Sequence, residues 1–181
     1  MTTPPILERR VDYRSRWLEV VIKHVELDEP RGREDFWAVR TASDYAAALA
    51  VTTEGRIPLV RLFRPALEEH VLELPSGQVD PGEDPVDAIR RELLEETGCE
   101  AGEIVSFGQL YTDSGRMETR QWAFYAPEVR VVRDGPVGDE PLELVFVEPR
   151  ELGDLVRAGG FRHCPHLAVI AAAVLRGYVD L

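Results

Sequence analysis

The sequence predicts an α/β fold in which a mixed β-sheet is covered on its faces by helices. Three observations carry this reading. Short runs rich in β-branched and aromatic residues are bounded by Gly- and Pro-containing turns, and two longer segments, with a third shorter one, have helical periodicity instead. Strands and helices are interleaved along the chain, as a sheet with helices on its faces requires. The 181 residues suffice for a folded domain with a substantial core, and 44% hydrophobic against 30% charged residues is the balance of a folded soluble protein.

Taken in order, Trp17 to Leu27 and Asp35 to Arg40 read as strands of a hairpin around the turn-forming Asp28-Glu29-Pro30-Arg31-Gly32. Ala46 to Val51 and Ile57 to Phe63 read as a second pair around Thr53-Glu54-Gly55-Arg56, and Val71 to Leu74 leads into Pro75-Ser76-Gly77. Further short strands are expected at Ile104 to Leu110, Arg120 to Tyr125 and Leu144 to Val147. Helices are expected over Pro85 to Thr97 and His166 to Tyr178, with a shorter one at Glu148 to Arg157. The stretch from Asp134 to Pro141 reads as a solvated loop, because its glycines and prolines break both periodicities. There is no internal repeat and no low-complexity tract.

The net charge of −12 argues against a protein that grips nucleic acid by neutralising phosphates. An anionic ligand would need cations and local arginines to overcome that field. Cys99 and Cys164 lie far apart without CxxC spacing, which suggests neither a disulfide framework nor a zinc site. His163-Cys164-Pro165-His166 matches no usual zinc spacing and reads as a turn and cap before the last helix. No apolar run approaches membrane-spanning length and the first residues do not read as a secretion signal, so a cytoplasmic location without membrane attachment is expected.

The helix from Pro85 to Thr97 has marked ends. Asp84 suits the N-cap, Pro85 the first turn, Asp87 the positive end of the dipole, and Gly98 the left-handed position after the helix. Ala88, Ile89 and Leu93 form a core-facing stripe, while Glu92, Glu95 and Glu96 share another face. Those carboxylates repel one another, and Glu95 and Glu96 sit where the dipole prefers cations, at a cost of a few tenths of a kcal/mol per conflict, ~0.2–0.5. A solvated acidic face, partly offset by Arg90 and Arg91, would account for this. A cluster of hard oxygen ligands for a divalent cation would account for it equally, and spacing alone does not choose.

The loop before the helix adds Gly77, then five residues, Glu83, seven residues, and Arg91-Glu92-Leu93-Leu94-Glu95-Glu96-Thr97-Gly98-Cys99. This resembles the Nudix box, G-x5-E-x7-R-E-U-x-E-E-x-G-U with U aliphatic, and departs from it only at Cys99, where a small hydrophobe still fits. The resemblance implies a Nudix α/β/α sandwich around a mixed β-sheet, here residues 41–181 as catalytic domain, with residues 1–40 as an N-terminal β-hairpin extension. It implies Mg²⁺, or Mn²⁺, held by Glu92, Glu95 and Glu96 and by a backbone carbonyl near Ser76 or Gly77, with Arg91 holding the glutamates in place. It also implies a catalytic base from a later loop, for which Glu140 is the candidate and Glu143 the alternative.

Outside the box, Leu59-Val60-Arg61-Leu62-Phe63-Arg64-Pro65 and Leu72-Glu73-Leu74-Pro75-Ser76-Gly77 are most similar to the ADP-ribose pyrophosphatase and nucleoside-diphosphate-sugar branch. In that branch an arginine reaches a substrate phosphate, which points to Arg64 and, less directly, to Arg61; pairing with an acid such as Glu73 is the competing role. The branch commonly forms homodimers through N-terminal strands that help bind the base, so Trp17 and Trp37 are candidates for stacking, or else for packing in an interface. Ser114 stands where many ADP-ribose enzymes carry a proline, and Arg116 or Glu118 could read a different sugar or base. The expected partner is therefore ADP-ribose or another nucleoside diphosphate sugar, GDP-mannose among them; a nucleotide-sensing domain without turnover is the reading from another class.

Overall fold

The structure is a computed structural model that describes residues 3–137 and 141–181, so Asp139 and Glu140 lie outside the described residues. The chain divides into two compact units, Met1–Asp44 with Tyr111–Arg120, and Tyr45–Leu110 with Gln121–Leu181.

In the first unit β1 (Ile6–Arg14), β2 (Leu18–Glu26) and β3 (Arg33–Thr41) form an antiparallel sheet in the order β1-β2-β3. The β2–β3 hairpin is as expected, with Trp37 opposite Ile22. Strand β1 lies outside the expected strands: Glu8, Arg9, Arg10, Asp12 and Arg14 break its alternation, and all nine of its residues are exposed. The segment Tyr111–Arg120 docks on the free edge of β3, where the Val39 N–H donates to Arg116 O at 2.7 Å and the Glu118 N–H to Val39 O at 2.9 Å.

The second unit contains β4 (Tyr45–Thr52), β5 (Ile57–Arg64), β6 (Glu69–Glu73), β7 (Ser76–Gln78), α1 (Pro85–Thr97), β8 (Cys99–Glu100) and β9 (Val105–Tyr111). β10 (Arg120–Val131), β11 (Leu142–Val147), α2 (Pro149–Arg157) and α3 (Cys164–Leu175) complete it. One sheet runs β7-β4-β10-β8, with β9 also on β10; β4 and β10 are parallel and β7 and β8 antiparallel to their neighbours. A second sheet runs β11-β5-β6 and is antiparallel.

Strand β4 explains the layering. Its run Ala46-Ala47-Ala48-Leu49-Ala50 is fully buried, which a strand covered on both faces requires. Ala46, Ala48 and Ala50 pack with Ala88, Ile89 and Leu93 of α1 and with Phe124 of β10. Ala47 and Leu49, on the opposite face, pack with Ile57 and Leu59 of β5, Leu152 of α2, and Val169, Ile170 and Ala173 of α3. Alternation thus gives one core to each face, and the result is the expected α/β/α sandwich around a mixed sheet.

Two expectations need correction. β4 and β5 do not pair: after the turn bond from Thr52 N–H to Arg56 O, 2.8 Å, β5 joins the other sheet so that Ile57 and Leu59 enter the core on one face of β4. The strand begun at Arg120 also continues past Tyr125, because Pro127 and Glu128, the latter at φ 49°, are absorbed in a register shift between Ala126 and Val129.

Candidate functional site

The box occupies β7, the loop after it, and α1. Helix α1 begins where Asp84 accepts from the Val86 N–H at 2.8 Å and ends at Gly98, φ 68°, whose N–H donates to Leu94 O. The last turn holds no basic residue, and its dipole is met from outside by the Arg133 guanidinium, which donates to Leu94 O. Arg90 does not compensate the glutamate face, because it donates to the carbonyls of Ala101 and Gly102.

Arg91 takes that role. Its Nη1 donates to Glu92 Oε1 at 2.7 Å and to Glu95 Oε2 at 3.3 Å, its Nε and Nη2 each reach Glu83 at 3.2 Å, and Nη2 also donates to Gln78 O at 3.1 Å. The Glu83 bond is the largest cause that raises the Arg91 pKa above its ordinary value, and the same bond, with the Asp80 N–H, lowers that of Glu83.

Strand β7 brings the loop backbone to these side chains. Ser76 and Gly77 pair with Ala47 and Ala46 of β4, and the Ala48 N–H donates to Pro75 O at 3.2 Å. Glu96, only 8% exposed, accepts from the Ser76 N–H at 2.8 Å. The Glu92 carboxylate fills the space that a Cβ on Gly77 would need, which is why a glycine stands there. Glu92, Glu96, Ser76 and Gly77 therefore converge on one spot, with the exposed Glu95 beside Arg91. One guanidinium serves three of the four box carboxylates, and a single positive charge falls short of theirs. The donors are hard oxygens in negative excess, a set that fits Mg²⁺ or Mn²⁺.

A second cluster, which no spacing in the sequence indicates, forms around Glu73. Arg64 at the end of β5 donates to both oxygens of Glu73, Nε at 2.8 Å and Nη2 at 2.7 Å, while Glu73 is 1% exposed. Within 4.0 Å of Glu73 Oε2 stand His163 Nε2 and His166 Nδ1, and the two imidazoles lie tilted by 45° with centroids 3.8 Å apart. His166 Nδ1 accepts from the Leu74 N–H at 3.1 Å, whereas His163 Nδ1 is buried without a hydrogen-bond partner among the described residues. Burial, then His163 and Arg64, holds the His166 pKa well below the ordinary value; burial also lowers that of His163. His163 and Pro165 start α3 as expected for a cap, so the helix begins two residues earlier than His166. Nothing near His166 in sequence indicated its partner.

The remaining candidates divide between the units. Arg61 lies opposite Glu143 on β11 and approaches it to 3.5 Å, so the alternative phosphate ligand and the alternative base form an exposed ion pair. In the first unit Trp37 and Arg116 line a common groove of about 300 Å³ together with Lys23 and Phe36. Trp17, 64% exposed with the Arg16 guanidinium 4.4 Å from its ring centroid, lines a different groove of about 280 Å³. Glu118 is held by Lys23 Nζ at 2.5 Å and Arg40 Nε at 2.6 Å, which lower its pKa in spite of burial and occupy the carboxylate.

Comparison with known proteins agrees with this geometry. Residues 43–163 match the family model described as NUDIX domain. The chain belongs to the Nudix family. An ADP-ribose pyrophosphatase of Bacillus subtilis is 33% identical over 135 residues, 75% of this chain and 70% of its own. A GDP-mannose pyrophosphatase of Cronobacter sakazakii is 29% identical over 145 residues, 75% of each chain. The crystal structure of an ADP compounds hydrolase superposes with a TM-score of 0.82 at 22% identity, covering 99% of this chain and 98% of the other, which shows the shared fold. The protein is thus a Nudix pyrophosphohydrolase, with its box on β7 and α1.

Proposed function

We propose that this Nudix enzyme hydrolyses the pyrophosphate bond of ADP-ribose, or of a related nucleoside diphosphate sugar, giving a nucleoside monophosphate and a sugar phosphate with Mg²⁺ as cofactor. The observation that carries the reading is the convergence of Glu92 and Glu96 on the Ser76-Gly77 backbone, with Arg91 bracing Glu83, Glu92 and Glu95. Glu92, Glu95, Glu96 and the Ser76 carbonyl would hold the cation, which supplies charge neutralisation at the diphosphate and a more acidic water. The Arg91 fork holds the carboxylates in place. Arg64, which pairs with Glu73 yet is 43% exposed on its side chain, is proposed as the residue that reaches a phosphate, with Arg61 as the alternative. Water attacks one phosphorus, the bridging P–O bond breaks, and the proton passes to a carboxylate, for which Glu140 is proposed and Glu143 is the alternative.

Trp17, Trp37 and Arg116 are proposed to bind base and sugar, and the first-unit sheet to join two copies of the chain in the cytoplasm. The described helices include none long and apolar enough to cross a membrane. GDP-mannose stays as the second substrate because a GDP-mannose pyrophosphatase covers as much of this chain as the ADP-ribose relative does. Incubation with Mg²⁺ and a panel of ADP-ribose, ADP-glucose, GDP-mannose, UDP-glucose and nucleoside triphosphates tests the reading. ADP-ribose should give AMP and ribose 5-phosphate with the highest kcat/KM, and consumption of triphosphates alone would refute it.

A further inference from the structure

We propose that His166 is a positioning residue for the metal-binding loop, its Nδ1 anchoring the Leu74 amide and thereby the Ser76 backbone against which Glu96 is set. The inference rests on the reading of Glu92, Glu95 and Glu96 as cation ligands.

The chain leaves one sheet at Glu73, the end of β6, and enters the other at Ser76, the start of β7. Between them Leu74 is fully buried, and a buried N–H without a partner is costly. Among the described residues its acceptor is His166 Nδ1, from a helix that begins 90 residues later, rather than a strand of either sheet. Pro75 has no N–H to contribute, and its carbonyl takes the Ala48 N–H. The crossing is therefore pinned on one side by β4 and on the other by α3. Two residues past Leu74, the Ser76 N–H donates to Glu96 at 2.8 Å. A shift of Leu74 passes through the rigid Pro75 to this bond, and to Gly77 against the Glu92 carboxylate.

The cluster of Glu73, His163 and His166 could itself be read as a metal site, since their ligand atoms lie within 4.8 Å of one another. The bonding argues otherwise. Both Glu73 oxygens already accept from Arg64, and the lone pair of His166 Nδ1 is committed to Leu74. An arriving cation would meet the Arg64 guanidinium that already neutralises Glu73, and would have to displace the Leu74 N–H to take His166 Nδ1. The imidazole instead works as a fixed acceptor, with its proton on Nε2.

Mn²⁺ titration of the full chain without substrate, followed by electron paramagnetic resonance, tests this on His166→Asn, His166→Gln and His166→Leu. An asparagine oxygen can take the place of Nδ1, whereas a glutamine oxygen falls nearer that of Nε2. Supporting partners of metal ligands are worth about 10- to 100-fold in affinity, so His166→Leu and His166→Gln should bind Mn²⁺ at least about tenfold more weakly. His166→Asn should stay within about threefold of wild type, a rescue that loss of packing alone does not produce. Should His166→Leu fail to fold, the Asn and Gln pair decides. Equal, wild-type affinity in the folded Gln and Asn variants would overturn the proposal. Wild-type Mn²⁺ binding that Glu96→Gln leaves unchanged would instead refute the metal reading beneath it. Ni²⁺ binding that survives Glu96→Gln and disappears in His166→Asn would make the cluster a metal site and also overturn it.

Discussion

The Glu92 carboxylate stands where the side chain of any residue but glycine at position 77 would begin, and Arg91 Nη1 holds it there at 2.7 Å. A methyl group on residue 77 has to push the carboxylate off Arg91 or move the β7 backbone off β4. Gly77→Ala is therefore expected to weaken Mn²⁺ binding and to lower kcat/KM by about 10- to 100-fold, while the melting temperature changes little because the displaced group is a side-chain end. Isothermal titration with Mn²⁺ and steady-state kinetics on the same preparation check this, and unchanged affinity would remove Glu92 from the ligand set.

Glu96 should show a different separation of effects. A glutamine at position 96 keeps an oxygen for the Ser76 N–H at 2.8 Å, so the fold and the loop should survive. What is lost is the negative charge, and several kcal/mol of transition-state stabilisation at about 1.36 kcal/mol per decade corresponds to a drop in kcat of roughly 10²-fold or more. Near-normal turnover with an intact circular dichroism spectrum would show that Glu96 serves the loop alone.

Helix α1 was readable because its signals are local: Asp84, Pro85 and Gly98 mark its ends, and the glutamate conflict lies within one turn. The role of β4 was harder to read, since an alanine run carries no strand preference and only the opposed cores show that both faces are covered. Strand β1 was hidden for the opposite reason, its charged and exposed residues giving no alternation. Partners distant in sequence were out of reach altogether. Arg133 meeting Leu94, Glu118 held by Lys23 and Arg40, and His166 meeting Leu74 are bonds that no spacing rule encodes. The pairing of Arg64 with Glu73 was open in the sequence as one of two roles, and the fold brings these two side chains together.

Stability should fall in two pH windows. His166 and His163 have native pKa values below the ordinary one, so below about pH 6.5 the unfolded chain binds protons that the native chain refuses. Stability then drops with falling pH, by up to about 1.4 kcal/mol per pH unit per group, until the native values are passed. Glu118 is also lowered, by Lys23 and Arg40 against burial, so its contribution is present above the ordinary carboxylate range and is lost as pH falls through its native value. Urea unfolding from about pH 3 to 8 should show a shallower slope just below pH 6.5 in His166→Asn and a shallower acid limb in Glu118→Gln. Identical slopes in all three proteins would contradict the assignment.

The indoles are open to a kinetic test. Trp37 is 53% exposed in the groove with Arg116, and removal of an exposed ring should change stability by no more than about 0.5 kcal/mol. If it stacks on the base, Trp37→Ala loses about 1–3 kcal/mol of binding, an increase in KM of about 5- to 150-fold with kcat little changed. Trp17→Ala should behave likewise if its own groove takes part. Unaltered KM in both variants would leave the rings a packing role.

The sheet that carries these rings bears on assembly. Strand β1 exposes Leu7, Val11 and Tyr13 among its charged residues, on an outer sheet edge that has no strand partner among the described residues. A second copy covering it would bury those side chains, and the acidic chain would gain an interface without adding charge. Light scattering should therefore give about twice the chain mass of 20.4 kDa, and Leu7→Asp with Val11→Asp should shift it to the single-chain value, because two buried carboxylates without partners cost more than the interface returns. If KM rises in step with dissociation, the partner copy contributes to substrate binding. A wild-type chain that scatters as a monomer at assay concentration would separate Trp17 and Trp37 from any shared site and confine substrate recognition to one copy.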